Sequence, residues 1–263
     1  MKKTPPALDL QDRHALVCGA SAGIGRAAAV ALAAAGARLT LLSRRRETLD
    51  ELAGELRSGG SQVDVLSADL DERPQLQVAL DAASLEPVHI LINNTGGPSP
   101  GPLLRAAEED LLRAFGRHVL AAHMLTTRFL PGMKEAGYGR IINVLSTSVR
   151  EPIPGLGVSN VIRAAMASWA KTLSRELPPH VTINNILPGF TDTERLSTLA
   201  VDIGGRTNRT DDEVRAGWLA MVPEGRLGRP EELGAAIAFL ASPAASYIRG
   251  VNLPVDGGRL NSI

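Results

Sequence analysis

Apolar positions fall into short continuous runs separated by longer stretches of helical period. His14–Cys18 (HALVC) is a short apolar run ending in glycine, and Ile24–Ala35 follows as an alanine-rich helix closed by Gly36. This reads as strand, turn, helix. Arg38–Leu42 then predicts a second strand, Arg45–Arg57 a helix ending before Gly59 and Gly60, and Gln62–Leu66 a third strand. The alternation continues with a helix near Pro74–Ala83, a strand at Val88–Asn93, a long helix within Glu108–Phe129 and a strand at Arg140–Leu145. A helix from about Gly157 to Leu177, a strand at Val181–Ile186, a helix at Pro230–Leu240 and a strand at Val251–Val255 complete the chain. Strands alternating with helices imply right-handed parallel crossovers, hence an α/β protein with about seven strands flanked by helices. No repeat, low-complexity tract or linker interrupts it, so residues 1–263 are read as a single domain. The largest break is the polar, glycine-containing stretch Thr191–Gly228, which is read as a surface insertion near the site. It is either a mobile lid or an ordinary solvated loop with a helix.

Length and charge narrow the function classes. A chain of 263 residues falls within the range that one α/β layer structure with a large core can occupy. With 28 basic and 28 acidic residues the formal charge is zero, so the whole molecule has no electrostatic reason to seek nucleic acid or an anionic membrane. The expected partners are a small-molecule substrate and copies of itself. Cys18 alone cannot form an intramolecular disulfide, and the start MKKTPPALDLQDRH has no apolar run long enough for a signal peptide or membrane helix, which points to a reducing cytoplasm. Aromatic residues make up only 3%, which suits helices lying close on a sheet.

The first candidate chemistry lies between the first strand and first helix. Gly19-Ala20-Ser21-Ala22-Gly23-Ile24-Gly25 is a glycine-rich turn that fits either tight strand-to-helix packing or close approach of backbone to a pyrophosphate at a positive helix end. About twenty residues on, where a carboxylate would receive an adenosine ribose hydroxyl, stand Ser43-Arg44-Arg45-Arg46. Serine leaves room for a 2′-phosphate and an arginine fork binds it with charge-assisted bonds, so NADP(H) is favoured over NAD(H). The alternative is that the arginines are solvated residues opening the next helix.

Together with these, Ala68-Asp69-Leu70, Asn93-Asn94-Thr95-Gly96, Pro188-Gly189-Phe190-Thr191-Asp192-Thr193 and the stretch from Gly225-Arg226 to Asp256-Gly257-Gly258 resemble, in order, the motifs of the short-chain dehydrogenase/reductase family. The resemblance runs from about Leu10 to Gly258 and is to 3-oxoacyl-ACP reductase-like members in particular. It implies a Rossmann-type doubly wound sheet and NAD(P)-dependent oxidoreductase activity. It also implies a homo-oligomer, dimer or tetramer, and a cofactor site at Gly19, Ser21, Ala22, Gly23, Ile24, Gly25, Ser43, Arg44, Arg45, Asp69, Leu70, Asn94, Thr95, Gly96, Arg163, Pro188, Gly189, Thr191 and Thr193.

The catalytic pattern of the family is altered. Its members use a tyrosine acid/base, a lysine that lowers the tyrosine pKa, a serine that holds the substrate oxygen and an asparagine that supports a proton relay. Ser146 stands where the serine belongs. The Tyr-x-x-x-Lys position reads Ser159-Asn160-Val161-Ile162-Arg163, and the asparagine position is taken by His118. Ser146, Ser159, Arg163 and His118 are therefore the candidate catalytic residues. A serine hydroxyl is far less acidic than a phenol of pKa about 10, so Ser159 orients an oxygen but is a poor proton donor. Arg163 is charged throughout the accessible range and can grip nicotinamide ribose hydroxyls or a substrate carboxylate. Losing a positioned general acid typically lowers the rate by about 10²–10⁴, or roughly 3–5 kcal/mol. Tyr138 and Tyr247 are expected to be structural. His118 is read either as a water-linked proton relay or as a polar helix residue bonded to backbone or solvent.

His123 is expected to be structural and Cys18 a small packed side chain. No cluster has metal-ligand spacing, so no metal is expected. Two functions follow. One is an NADP(H)-dependent oxidoreductase acting on a carbonyl or alcohol, of 3-oxoacyl type among others, with an altered acid/base set. The other is a nucleotide-binding pseudo-enzyme with little turnover that serves as a binding or regulatory protein. Walls for the substrate are expected from Gly97–Leu104, Val149–Leu156 and Thr191–Gly228. The apolar segment Ala164–Leu173 with Trp169 is either a helix face for a symmetric contact or buried core.

Overall fold

A computed structural model of the chain describes residues 8–83, 85 and 87–262. Positions 1–7, part of the segment read as lacking a leader, lie outside them, as do 84, 86 and 263. The apolar runs form seven strands: β1 His14–Cys18, β2 Arg38–Ser43, β3 Val63–Ser67, β4 Ile90–Asn93, β5 Gly139–Val144, β6 Val181–Pro188 and β7 Asn252–Val255. The α-helices are α1 Gly23–Ala34, α2 Arg46–Ser58, α3 Arg73–Ala82, α4 Glu108–Phe115, α5 Ala121–Glu135, α6 Gly157–Glu176, α7 Glu194–Thr207, α8 Asp211–Leu219 and α9 Pro230–Ala241. All adjacent strands pair in parallel, in the order β3-β2-β1-β4-β5-β6-β7. The order reverses between β1 and β4, which opens a crevice at their carboxyl ends, where ligands of doubly wound sheets bind.

Strands covered on both faces read as continuous apolar runs rather than alternating ones. In β1, Ala15 and Val17 pack into the layer formed with α1, α2 and α9, whereas Leu16 and Cys18 pack into the layer formed with α3, α5 and α6. The period-2 side-chain alternation of a strand thus supplies two cores from one segment.

A polar ladder locks the carboxyl half of this sheet. Asn93 donates to Asn143 at 2.8 Å, Asn143 to Asn185 at 2.7 Å and Asn185 to Asn252 at 2.7 Å, each pair in register across β4, β5, β6 and β7. Buried amides satisfied in this way rigidify their surroundings, because breaking one bond leaves an unpaired polar group. The loops that follow these strands are therefore set at fixed heights.

Two regions differ from the sequence expectation. The long helix expected within Glu108–Phe129 runs as α4, a π-helical turn at Gly116–Leu120 and α5, reaching Glu135. Such wide turns are often found at functional positions, and this one carries His118. The stretch Thr191–Gly228 holds two helices, α7 and α8, around a cluster of Phe190, Leu196, Ala200, Val214, Trp218 and Val222, with the Phe190 and Trp218 rings stacked at 5.2 Å. Thr210 starts α8 with a reciprocal capping box to Glu213. Among the described residues no helix is long and apolar enough to cross a membrane.

Candidate active site

The β1–α1 turn shapes one end of the crevice. Gly19 has φ +63°, and a side chain on Gly25 would begin 2.1 Å from the Gly19 carbonyl oxygen, so the turn closes on itself only with glycine at both places. The Asn94 amide clamps it from β4 by donating to the Cys18 and Gly19 carbonyls, each at 3.3 Å. α1 then starts at Ala22 with no side-chain cap and no acidic residue in its first turn. The first N–H groups of a helix lack internal partners and carry the positive end of its dipole. Here they meet a cleft of about 680 Å³ lined by Ser21, Ala22, Gly23 and Ile24.

The second basic feature of this half of the cleft is at the end of β2. Ser43 Oγ accepts from the Arg45 backbone N–H at 3.3 Å, and Arg45 Nη2 donates to Ser21 Oγ at 3.3 Å. Arg44 lies 3.7 Å from Asp69, whose other oxygen accepts from the Asp71 N–H at 3.0 Å. Arg117 pairs with Asp71 and also lines the cleft. The Arg117 guanidinium hydrogen-bonded to Asp71 holds that carboxyl below the usual carboxylate range.

The other half of the cleft gathers three of the candidate catalytic residues. Ser146 follows β5 and its Oγ accepts from the Ser148 N–H at 3.0 Å, capping a one-turn 3-10 helix at Thr147–Val149. Ser159 and Arg163 are one turn apart on α6, and both line the cleft with Ser146. Arg163 is buried. Its Nη1 donates to the Val144 carbonyl at 2.8 Å, and its Nε has no hydrogen-bond partner. Burial, and then the charge of Arg195, lower its pKa to about 10, so it remains a cation at neutral pH.

Of the catalytic and cofactor-binding residues expected from the sequence, all but Gly25 and His118 line the cleft. Gly25 acts one layer back, by letting the turn close. His118 sits behind Thr95, with Thr95 Oγ1 3.0 Å from its Nδ1, and is 3% exposed. Burial first, then the charges of Arg163 and Arg117, hold its pKa down to about 2. It is neutral at physiological pH, with one ring nitrogen a donor and the other an acceptor. Neither tyrosine lines the cleft. The Tyr138 hydroxyl donates to the Ala241 carbonyl, and its ring lies 4.1 Å from the Arg13 guanidinium and 4.2 Å from that of Arg140, while Tyr247 is fully exposed. Cys18 is buried, and desolvation pushes its thiol up to about 12. Trp169 is partly buried between two core clusters, and its indole donates to His123. Among the described residues no group of three or more His, Cys, Asp or Glu side chains is placed to hold a metal ion.

The three expected walls all contribute: Gly97 and Pro98 from the first, Ile153, Pro154 and Leu156 from the second, and residues of α7 and α8 from Thr191–Gly228. Arg117 lies outside every segment expected to line the cleft, while Arg195, Leu199, Ile203 and Trp218 fall within the expected Thr191–Gly228 wall but were not singled out individually. Leu196, Leu199 and Ile203 share one face of α7 at helical spacing, a signal that was readable once α7 was recognised. Nothing in the local sequence marks Arg195. α7 is fastened to the loop after β4 by Arg195 Nη2 donating to the Pro98 carbonyl and Arg206 Nη1 to the Pro100 carbonyl, both at 2.7 Å.

Residues 19–259 match the family model described as enoyl-(acyl carrier protein) reductase. An uncharacterized oxidoreductase of Mycobacterium tuberculosis is 35% identical over 95% of this chain and 92% of its own length. The 3-oxoacyl-[acyl-carrier-protein] reductase of Vibrio cholerae is 33% identical over 95% and 98%. Among solved structures, L-sorbose reductase from Gluconobacter frateurii, complexed with NADPH and L-sorbose, superposes with a TM-score of 0.91 at 29% identity, covering 97% of this chain and 99% of that one.

Proposed function

Because the chain belongs to the short-chain dehydrogenase/reductase family, we propose that it is an NADP(H)-dependent oxidoreductase acting on a carbonyl or alcohol, of 3-oxoacyl type among others. The observation that carries this reading is the pairing of an uncapped α1 N-terminus with Arg44 and Arg45 at the rim of one cleft, where no carboxylate ends β2. Unpaired N–H groups suit a diphosphate, and the two guanidiniums suit an additional phosphate. Gly19, Ser21–Ile24, Ser43–Arg45, Asp69, Leu70 and Asn94–Gly96 would hold the adenosine side and diphosphate, and Arg163, Pro188, Gly189, Thr191 and Thr193 the nicotinamide side. When bound, the nicotinamide supplies or accepts a hydride. Relatives described as NADPH-dependent reductases support the same cofactor.

Ser146 and Ser159 orient the reacting oxygen from two elements, β5 and α6. Arg163 stands one turn along α6 and keeps its positive charge at neutral pH, which favours negative charge in this half of the cleft. With a serine in place of a phenol and His118 neutral, the proton comes from solvent through the open cleft. α7 and α8 form the cover over the substrate half, and Leu199, Ile203 and Trp218 give it an apolar lining. The same proposal includes a cytoplasmic homo-oligomer, dimer or tetramer. The exposed apolar residues Leu112, Phe115 and Leu120 on α4 and its extension, with Val161 on α6, support such an interface.

The test is steady-state NADPH oxidation over a panel of ketones, aldehydes and 3-oxoacyl compounds, beside cofactor binding by fluorescence. Turnover of at least one class is expected. Tight binding with no turnover, and turnover appearing in Ser159→Tyr with Arg163→Lys, would instead establish a nucleotide-binding protein that lacks catalysis.

A further inference from the structure

Arg163 and Arg195 come from different elements, α6 and α7, and converge on one open spot. A side chain on Gly97 would begin 3.7 Å from Arg195 Nη2 and 3.8 Å from Arg163 Nη2, and no other heavy atom outside its chain neighbours lies within 4 Å of that point. The two nitrogens are therefore no farther apart than the sum of those distances, a span that one carboxylate can bridge. Gly97, Arg163 and Arg195 all line the cleft.

The two cations have no counter-charge. Among the described residues no carboxylate lies within 4.0 Å of either guanidinium. Arg163 spends one bond on the Val144 carbonyl, and its buried Nε has no partner. Arg195 reaches the Pro98 carbonyl only. Two guanidiniums held close with no acidic partner repel one another, and burial of one of them is expensive without an anion. The arrangement stands as a site waiting for negative charge.

We propose that Arg163 and Arg195 form an anion seat at Gly97 that takes the carboxylate of an oxo acid with an apolar tail. It rests on the oxidoreductase reading for the place of the reacting carbonyl, which is toward Ser146 and Ser159. The phosphates of a dinucleotide already have partners at the α1 start and at Arg44 and Arg45, in the other half of the cleft. Leu199, Ile203 and Trp218 line the same cleft and give it apolar surface that suits the tail. In the reaction, hydride adds to the oxo carbon as the carbonyl π bond breaks, and the resulting alkoxide takes a proton from water. NADPH is oxidised, the ketone becomes the hydroxy acid, and the carboxylate is unchanged. A thioester of the same acid presents no charge to the seat, so the free acid is the preferred form.

Calorimetric titration with 2-oxooctanoate, 3-oxooctanoate and their methyl esters, with and without saturating NADP⁺, tests this in the wild type, Arg195→Ala and Gly97→Ala. Gly97 has no positive φ, and a methyl there meets the two arginines at ordinary contact distance. This variant therefore fills the seat while keeping both cations and the α7 fastening. At least one acid is expected to bind about tenfold or more tighter than its ester, consistent with loss of one charge-assisted contact. Both variants are expected to weaken that acid by a similar factor and to leave the ester and NADPH within about twofold. Equal binding of acid and ester, an unchanged acid affinity in both variants, or a loss of NADPH affinity as large as that of the acid would each overturn the seat. If no dinucleotide binds at all, the oxidoreductase reading fails, and acid binding to the protein alone still decides the seat.

Discussion

Replacing His118 by asparagine isolates the physical state of the imidazole behind the site. His118 is 3% exposed, bonded to Thr95, and held at a pKa of about 2 by burial and by the charges of Arg163 and Arg117. In the unfolded chain its pKa is about 6.5. A folded pKa below the unfolded one means that the unfolded state takes up the proton first, so stability is intact above pH 6.5 and falls as the pH drops below it. Below that point one proton gives a slope of about 1.4 kcal/mol per pH unit, so between pH 7.5 and 4.5 His118 removes about 2.7 kcal/mol. That is a large share of the roughly 5–15 kcal/mol typical of a folded domain. Asparagine does not titrate. Urea unfolding of wild type and His118→Asn at pH 7.5, 6.5, 5.5 and 4.5 should show the variant gaining on the wild type by about that amount, whatever offset the lost volume leaves at pH 7.5. Groups common to both proteins, His89 and the carboxylates among them, cancel in the difference. A difference constant across the range to within about 0.5 kcal/mol would show that His118 is not held neutral in the folded protein.

Arg45→Ala should weaken NADPH about fivefold, near 1 kcal/mol for an exposed charge, and leave NADH unchanged, as read by fluorescence titration; equal losses would remove Arg45 from phosphate recognition. Gly25→Ala places a methyl 2.1 Å from the Gly19 carbonyl oxygen and 2.6 Å from the Asn94 amide, so it should destabilise the fold by about 1–3 kcal/mol and weaken dinucleotide binding at least tenfold. Unchanged binding would mean that the turn is not the diphosphate cradle. With its thiol pushed up to about 12, Cys18 should resist alkylation at pH 8 in the native protein and react readily in denaturant, which mass spectrometry reads directly; rapid native labelling would contradict the buried placement.

The strand and helix pattern was readable because each core strand is covered on both faces, which makes its sequence continuously apolar. β1 falls on the expected residues, His14–Cys18, and β2 ends one residue beyond Leu42. The glycine turn and the arginines after β2 were readable because local backbone geometry and charge decide them. Three features were not. The glycines and charges of Thr191–Gly228 obscured two amphipathic helices, although Thr210 with Glu213 three residues later is a helix-start signature that would have placed α8. His118 was read by register, and register says nothing about Thr95 standing in front of it. The convergence of Arg163 and Arg195 depends on how α7 folds back over the loop after β4, a long-range contact with no local sequence signal.

Calorimetric titration of the protein with NADPH and with NADH bears most directly on the account. One saturable site per chain with tighter binding of NADPH is predicted, because backbone N–H groups at α1 and guanidiniums past β2 together complement a dinucleotide carrying an extra phosphate. Absence of saturable heat with either nucleotide at millimolar concentration would contradict the assignment of the cleft.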